Sequence, residues 1–278
     1  MITPKRRQCS WRDPSLLIKE LVKEWGESGL VWLDGDGSQL GRWVTLAVDP
    51  IKHIYCRGLP GDIKAKDPFE ALRHLEPGHW TGWLSYEAGA WIEPSNPWDR
   101  NAMATLWIAS HDPVLRFDLV KRQLWIEGCN SKRLENFDNW LKSNTTNIES
   151  TDTKGESLIS KDIGIALEEW QWLTNLEEYA NGVEKIRNWI ANGDIFQANL
   201  SACCTTKFLP TGYNVELFQK LRQHCPAPFA GLIVGTGEAT GEAVISASPE
   251  RFIKVLRTGE VETRPIKGTR PRNGNIKI

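Results

Sequence analysis

Residues 229–268 read FAGLIVGTGEATGEAVISASPERFIKVLRTGEVETRPIKG. Four runs, FAGLIV, AVISAS, ERFIKVL and VETRPIKG, are parted by the turn strings GTGEATGE, SP and RTGE. Short strand-like runs joined by glycine-rich turns predict a β-meander, and hence an antiparallel sheet. Val261 to Lys267 reads as an interior strand of it. GTGEATGE lacks the GxGxxG register and no helix follows it, so it reads as a hairpin turn and not a nucleotide loop.

Upstream, DIFQANLSACCTTKF (194–208) alternates. Phe196, Ala198, Leu200, Ala202 and Cys204 share one face, with Gln197, Asn199, Ser201 and Cys203 on the other. That pattern predicts a strand between a helix layer and a polar surface. A helix precedes it. Thr174 and Glu177 have capping-box spacing, Leu176 to Ile190 keep helical period, and Gly193 stands at the stop. NVELFQKLRQH (214–224) predicts another helix, ended before Cys225-Pro226.

The first 140 residues form a separate region. Asp13-Pro14-Ser15 opens the helix SLLIKELVKEWG, and Gly26 ends it. Strand-like runs follow, from LVWLDGDGSQ through GRWVTLAVDP, HIYCRG, HWTGWLSY and MATLWIAS to PVLRFDLVKRQLWIEG, interrupted by the helix DPFEALRHL. The order is not a strict strand–helix alternation, which disfavours a doubly wound parallel sheet and favours an α+β fold. Residues 141–169 turn polar and aperiodic and read as a linker, so the expected division is 1–140, 141–169 and 170–278.

Composition narrows function. The 278 residues carry 34 Lys+Arg and 35 Asp+Glu, a net charge of −1, which argues against a nucleic-acid partner. No apolar run reaches the ~18 residues of a membrane helix, and the N-terminus lacks the apolar core of a secretory signal. The six cysteines form no CxxC pair, so no metal ligands are assigned and reduced thiols in a cytoplasmic protein are expected. Fourteen tryptophans scatter without a repeat period and read as core and rim packing.

Chemistry concentrates at the end of the meander. Arg264, Lys267, Arg270 and Arg272 form a cationic run, open to two readings: a solvated basic tail, or a carboxylate site completed by the backbone N–H groups of Gly268 and Thr269. Glu250 in SPERF is a candidate general acid or base.

Four ordered strings, GDIFQANLS (193–201), PFAGLI (228–233), SASPERFI (246–253) and ETRPIKGTRPR (262–272), together resemble the chorismate-utilising enzymes. TGWLSYEAGAWIE (81–93) and GRWVTLAVDP (41–50) are similar to weaker signatures of that family. The resemblance implies a four-layer α/β/β/α sandwich with two antiparallel sheets, of which this chain would be an incomplete, N-terminal portion. The family's later half, with its Mg2+ carboxylates, catalytic histidine and substrate-binding glycine loops, is not found among these residues, so Mg2+ is expected for the full-length family without ligands here.

Lys267 in PIKGT stands where anthranilate synthases typically carry alanine. The resemblance therefore implies component I of aminodeoxychorismate synthase, in the route to p-aminobenzoate and folate. It acts on chorismate with ammonia from a glutamine amidotransferase partner, component II. It implies Lys267 as nucleophile, Glu250 as acid, and Gly268, Thr269 and Arg264 as substrate-binding groups. A tryptophan site in relatives maps onto Arg42, Pro228 and Phe229. The alternatives are an inactive truncated fragment and anthranilate synthase component I-like activity.

Overall fold

The computed structural model describes residues 4–95, 97–100, 103–144, 170–207 and 213–265. In chain order the elements are β1 (Lys5–Cys9), α1 (Pro14–Trp25), β2 (Val31–Asp34), β3 (Trp43–Ala47), β4 (Lys52–Cys56), α2 (Pro68–Arg73) and β5 (His79–Leu84). Then come β6 (Leu106–His111), β7 (Val114–Asp118), β8 (Gln123–Gly128), α3 (Ser131–Ser143), β9 (Gln171–Trp172) and α4 (Leu176–Asn192). The rest are β10 (Cys204–Thr205), α5 (Asn214–His224), β11 (Phe229–Val234), β12 (Ala243–Ser248), β13 (Lys254–Val255) and β14 (Val261–Glu262). They fall into two compact units, Met1–Asp152 with Asn214–Ile278, and Thr153–Tyr213.

The larger unit is built on a seven-stranded sheet, ordered β1-β8-β7-β3-β2-β11-β12, with antiparallel neighbours throughout. Alternation decides what each strand buries. Trp32, Leu46, Phe117, Ile126 and Leu232 point to one face, where they meet Leu17 and Leu21 of α1, Leu134 and Phe137 of α3, and Phe218 of α5. Val31, Ala47, Val114 and Ile233 point to the other, where they meet Trp83, Trp107 and Ala109 of a three-stranded sheet ordered β4-β6-β5. The layers are thus helix, sheet, sheet, with the short α2 against β4. The pairing of Leu232 with Trp32 and of Ile233 with Val31 joins residues beyond 214 to a sheet drawn otherwise from the first 128.

Local chemistry sets the boundaries. The Asp13 carboxylate accepts from the Ser15 N–H at 2.8 Å, and Gly26 closes α1 at φ 75°. Asp67 accepts from the Phe69 and Glu70 N–H groups and caps α2. The GTGEATGE turn joins β11 to β12 as expected.

Several sequence expectations are corrected. The strand expected over 194–208 is reduced to Cys204–Thr205, paired with Gln171–Trp172, while residues 195–203 run without regular structure. Alternation there is genuine, but a strand needs a hydrogen-bonded neighbour and the described residues supply one only at β9. Asn175, not Thr174, caps α4: its side chain accepts from the Glu178 N–H at 2.8 Å, and Thr174 Oγ1 accepts from the Cys203 N–H at 3.3 Å. ERFIKVL and VETRPIKG do not extend the main sheet. They meet only as β13 and β14, a hairpin closed by Gly259 at φ 84°, and Val261 is exposed where an interior strand was expected. Residues 266–268 of VETRPIKG lie outside the described residues. β1 and α3 were not expected, although Asn130 caps α3 and Leu134, Phe137 and Leu141 keep its period.

In the smaller unit, α4 ends at Gly193 in the left-handed region, and no residue of the helix is buried. Its 410 Å³ cleft lies between Tyr179, Val183 and Ile186 on the helix and Ala198–Leu200.

Candidate active site

The chemistry-bearing part of the described chain is the SPERF segment and the hairpin after it. Ser248 ends β12, and its hydroxyl donates to the Glu250 carbonyl at 2.9 Å, turning the chain away from the sheet. Glu250 is exposed at this turn. Lys254 pairs with Glu262 and Val255 with Val261. Below the ladder, Thr263 Oγ1 donates to the Phe252 carbonyl at 3.0 Å. The two limbs therefore run side by side, one starting at Glu250 and the other leading through Arg264 toward residue 267.

Charge is organised around Glu262. Arg251 donates to Oε1 at 2.7 Å, and Arg264 lies 2.9 Å from the same oxygen through Nε and donates to Oε2 at 3.2 Å. Burial alone would raise the Glu262 pKa. Hydrogen bonding from Arg264, with the charges of Arg264, Arg251 and Lys254, holds it below the usual carboxylate range. Arg264 is thus engaged by an internal carboxylate. Sequence reasoning named Arg264 but missed Glu262 and Arg251. The legible signal was opposite charge on the two limbs flanking RTGE.

Lys267, Gly268 and Thr269 lie outside the described residues. Arg42, Pro228 and Phe229 lie near the β2–β3 turn. A Cβ on Gly41 would fall 2.8 Å from the Pro228 α-carbon, so the two backbones touch there. The Arg42 guanidinium donates through Nε to Asp118 at 2.8 Å and lies 5.2 Å from the centre of the Trp43 ring. That bond is the main reason the Asp118 carboxyl titrates below its ordinary range. Phe229 carries the Arg251 guanidinium at 4.8 Å over its ring. Asp34, beside this turn, is buried. Burial pushes its pKa up against the opposing pull of Arg222, which is ion-paired to it.

Among the described residues no group of three or more His, Cys, Asp or Glu side chains is placed to hold a metal ion. They do not fit a Mg2+ site, and no step below runs through one. Among the described residues, too, no helix is long and apolar enough to cross a membrane.

The helix-backed antiparallel sheet facing a second antiparallel sheet is similar in fold to anthranilate synthase component I. The structure of that protein from Streptococcus pneumoniae TIGR4 superposes with a TM-score of 0.51 at 18% identity, over 78% of this chain and 52% of that one. Residues 34–277 match the family described as chorismate binding enzyme, and the chain belongs to it. An anthranilate synthase component I-like protein of Synechocystis is 27% identical over 72% of this chain and 38% of its own length. Aminodeoxychorismate synthase component 1 of Klebsiella aerogenes is 33% identical over 48% of this chain and 25% of its own. The chain spans well under half the length of these two curated relatives.

Proposed function

We propose that this chain carries the nucleophile and the acid of an aminodeoxychorismate synthase component I. The observation that carries the reading is lysine at position 267 within PIKGT. The Klebsiella relative supports it by name, and the β13–β14 hairpin supports it by running the Glu250 limb beside the limb that leads to 267.

In this reading the Lys267 amine attacks the chorismate ring. The new carbon–nitrogen bond forms as the double bond shifts and the 4-hydroxyl departs. Glu250 protonates that hydroxyl, which leaves as water. Ammonia, delivered by a glutamine amidotransferase partner, then displaces the lysine with a second shift, giving 4-amino-4-deoxychorismate. Covalent catalysis splits one hard displacement into two easier ones. The amine must be neutral to attack, a form that desolvation or neighbouring cations such as Arg264 and Arg270 would favour. Gly268 and Thr269 offer backbone N–H groups to a substrate carboxylate.

The test is product analysis by mass with chorismate and ammonium. Aminodeoxychorismate from the parent chain, and none from Lys267→Ala, is the expected result. An unchanged rate in Lys267→Ala removes the covalent role. Anthranilate as product would favour the second reading, for which the Synechocystis relative's name over 72% of this chain is the supporting observation.

A further inference from the structure

Glu262 is ion-paired with an arginine on each limb of the hairpin. Glu262 ends β14, and Arg264 follows it by two residues on the same limb. Arg251 reaches the same carboxylate from the other limb, one residue after Glu250. Arg264 meets Glu262 through two of its nitrogens, Nε at 2.9 Å and Nη2 at 3.2 Å. A guanidinium used as a fork on one carboxylate is fixed in plane and direction.

Resting on the function proposed above, we infer that Glu262 is a positioning residue. With Arg251 and Arg264 it forms a clamp that sets the nucleophile-bearing limb against the acid-bearing limb. In this assignment Arg264 serves the clamp and not the substrate carboxylate, which reassigns the role the sequence gave it. Lys267 follows Arg264 by three positions, at most about 11 Å of chain, so in this assignment a swing of the Arg264 limb displaces the amine. A misplacement of about 1 Å is enough to slow a displacement severely.

The test compares Glu262→Gln, Arg264→Met, the double variant and the charge swap (Glu262→Arg with Arg264→Glu) in the full chain. Ammonia-dependent turnover gives kcat and the KM for chorismate. Hydrogen exchange of the amides of residues 251–264 reports the hairpin without turnover. In Glu262→Gln, kcat is expected to fall about tenfold with KM changed less than about twofold, and exchange at 251–264 to quicken about fivefold. The double variant is expected to be no worse than Glu262→Gln alone, because that change already removes both arginine pairs, and the charge swap, which sets a second cation against Arg251, to recover none of the loss. A tenfold rise in KM for Arg264→Met, with Glu262→Gln unaffected, would return Arg264 to the substrate and overturn the clamp. Unaltered exchange in Glu262→Gln would overturn it even if the chain makes no product. Quickened exchange with no product from the parent would keep the clamp and sink the proposed reaction instead.

Discussion

Truncating Phe218 to alanine removes the side chain that fastens α5 to the sheet. Phe218 is fully buried and meets Trp32 of β2 edge-on, with centroids 4.9 Å apart and planes at 78°. Trp32 is itself fully buried, and its indole nitrogen donates to Asp34 at 3.1 Å. Deleting a buried phenylalanine in such a setting costs about 3–5 kcal/mol, from lost transfer energy and the cavity left behind. The cavity is poorly relieved here, because β2 is an interior strand held on both sides by β3 and β11. For a unit of roughly 200 residues this corresponds to a Tm fall of about 6–20 °C. Phe218→Leu keeps most of the volume and loses mainly the ring pair, about 1 kcal/mol. Near-ultraviolet circular dichroism during heating is the assay, since Trp32 changes environment as α5 leaves. A fall of less than about 2 °C in Phe218→Ala would refute the packing of residues beyond 214 onto the N-terminal strands.

Two further outcomes follow from single residues. Gly82 on β5 lies against β6 so closely that an added Cβ would stand 1.9 Å from the Trp107 carbonyl oxygen and 2.5 Å from the Ile108 α-carbon. Gly82→Ala is expected to cost about 1–3 kcal/mol in denaturant melts, while Gly78→Ala, whose nearest neighbour is 3.4 Å away, leaves the midpoint nearly unmoved. Equal midpoints would contradict that geometry. His111 is buried, and its Nε2 lies 2.9 Å from the Gly29 carbonyl oxygen. Burial is the main cause that lowers its pKa from 6.5, so the folded protein holds it neutral where the unfolded chain is protonated. Its share of stability is therefore fully present above about pH 6.5 and is lost as pH falls through the folded pKa, by up to about 1.4 kcal/mol per pH unit. The difference in stability between parent and His111→Asn should shrink over that range; a constant difference would show that His111 titrates alike in both states.

Local chemistry made much of the fold legible. Asp13 and Gly26 bound α1, Asp67 opens α2, and alternation along β2, β3, β7 and β11 sorts residues between the helix layer and the second sheet. What alternation cannot encode is the neighbour. DIFQANLSACCTTKF alternates apolar and polar residues, yet among the described residues only Cys204 and Thr205 of it find a partner strand. Likewise Val261 to Lys267 reads as an interior strand, yet Val261 is exposed and pairs with Val255 in a two-stranded hairpin, because sheet position depends on pairing and not on propensity. β1 was hidden by its charges. Arg6 pairs with Glu127, and Arg7 with Asp138 of α3, so KRRQC forms a strand through partners far along the chain. At the candidate site, Glu250 and Arg264 were visible as motif residues. Glu262 stands in the ETRPIKGTRPR string without an assigned role, because its meaning arises only when the hairpin brings Arg251 beside it.

The central claim is the covalent role of Lys267, and intact-mass analysis of the chain after exposure to chorismate without ammonia tests it most directly. The expected result is a gain equal to chorismate less one water, mapped to the peptide containing Lys267, absent in Lys267→Ala and discharged as aminodeoxychorismate on adding ammonium. No adduct on the parent, or an equal adduct on Lys267→Ala, would contradict the account.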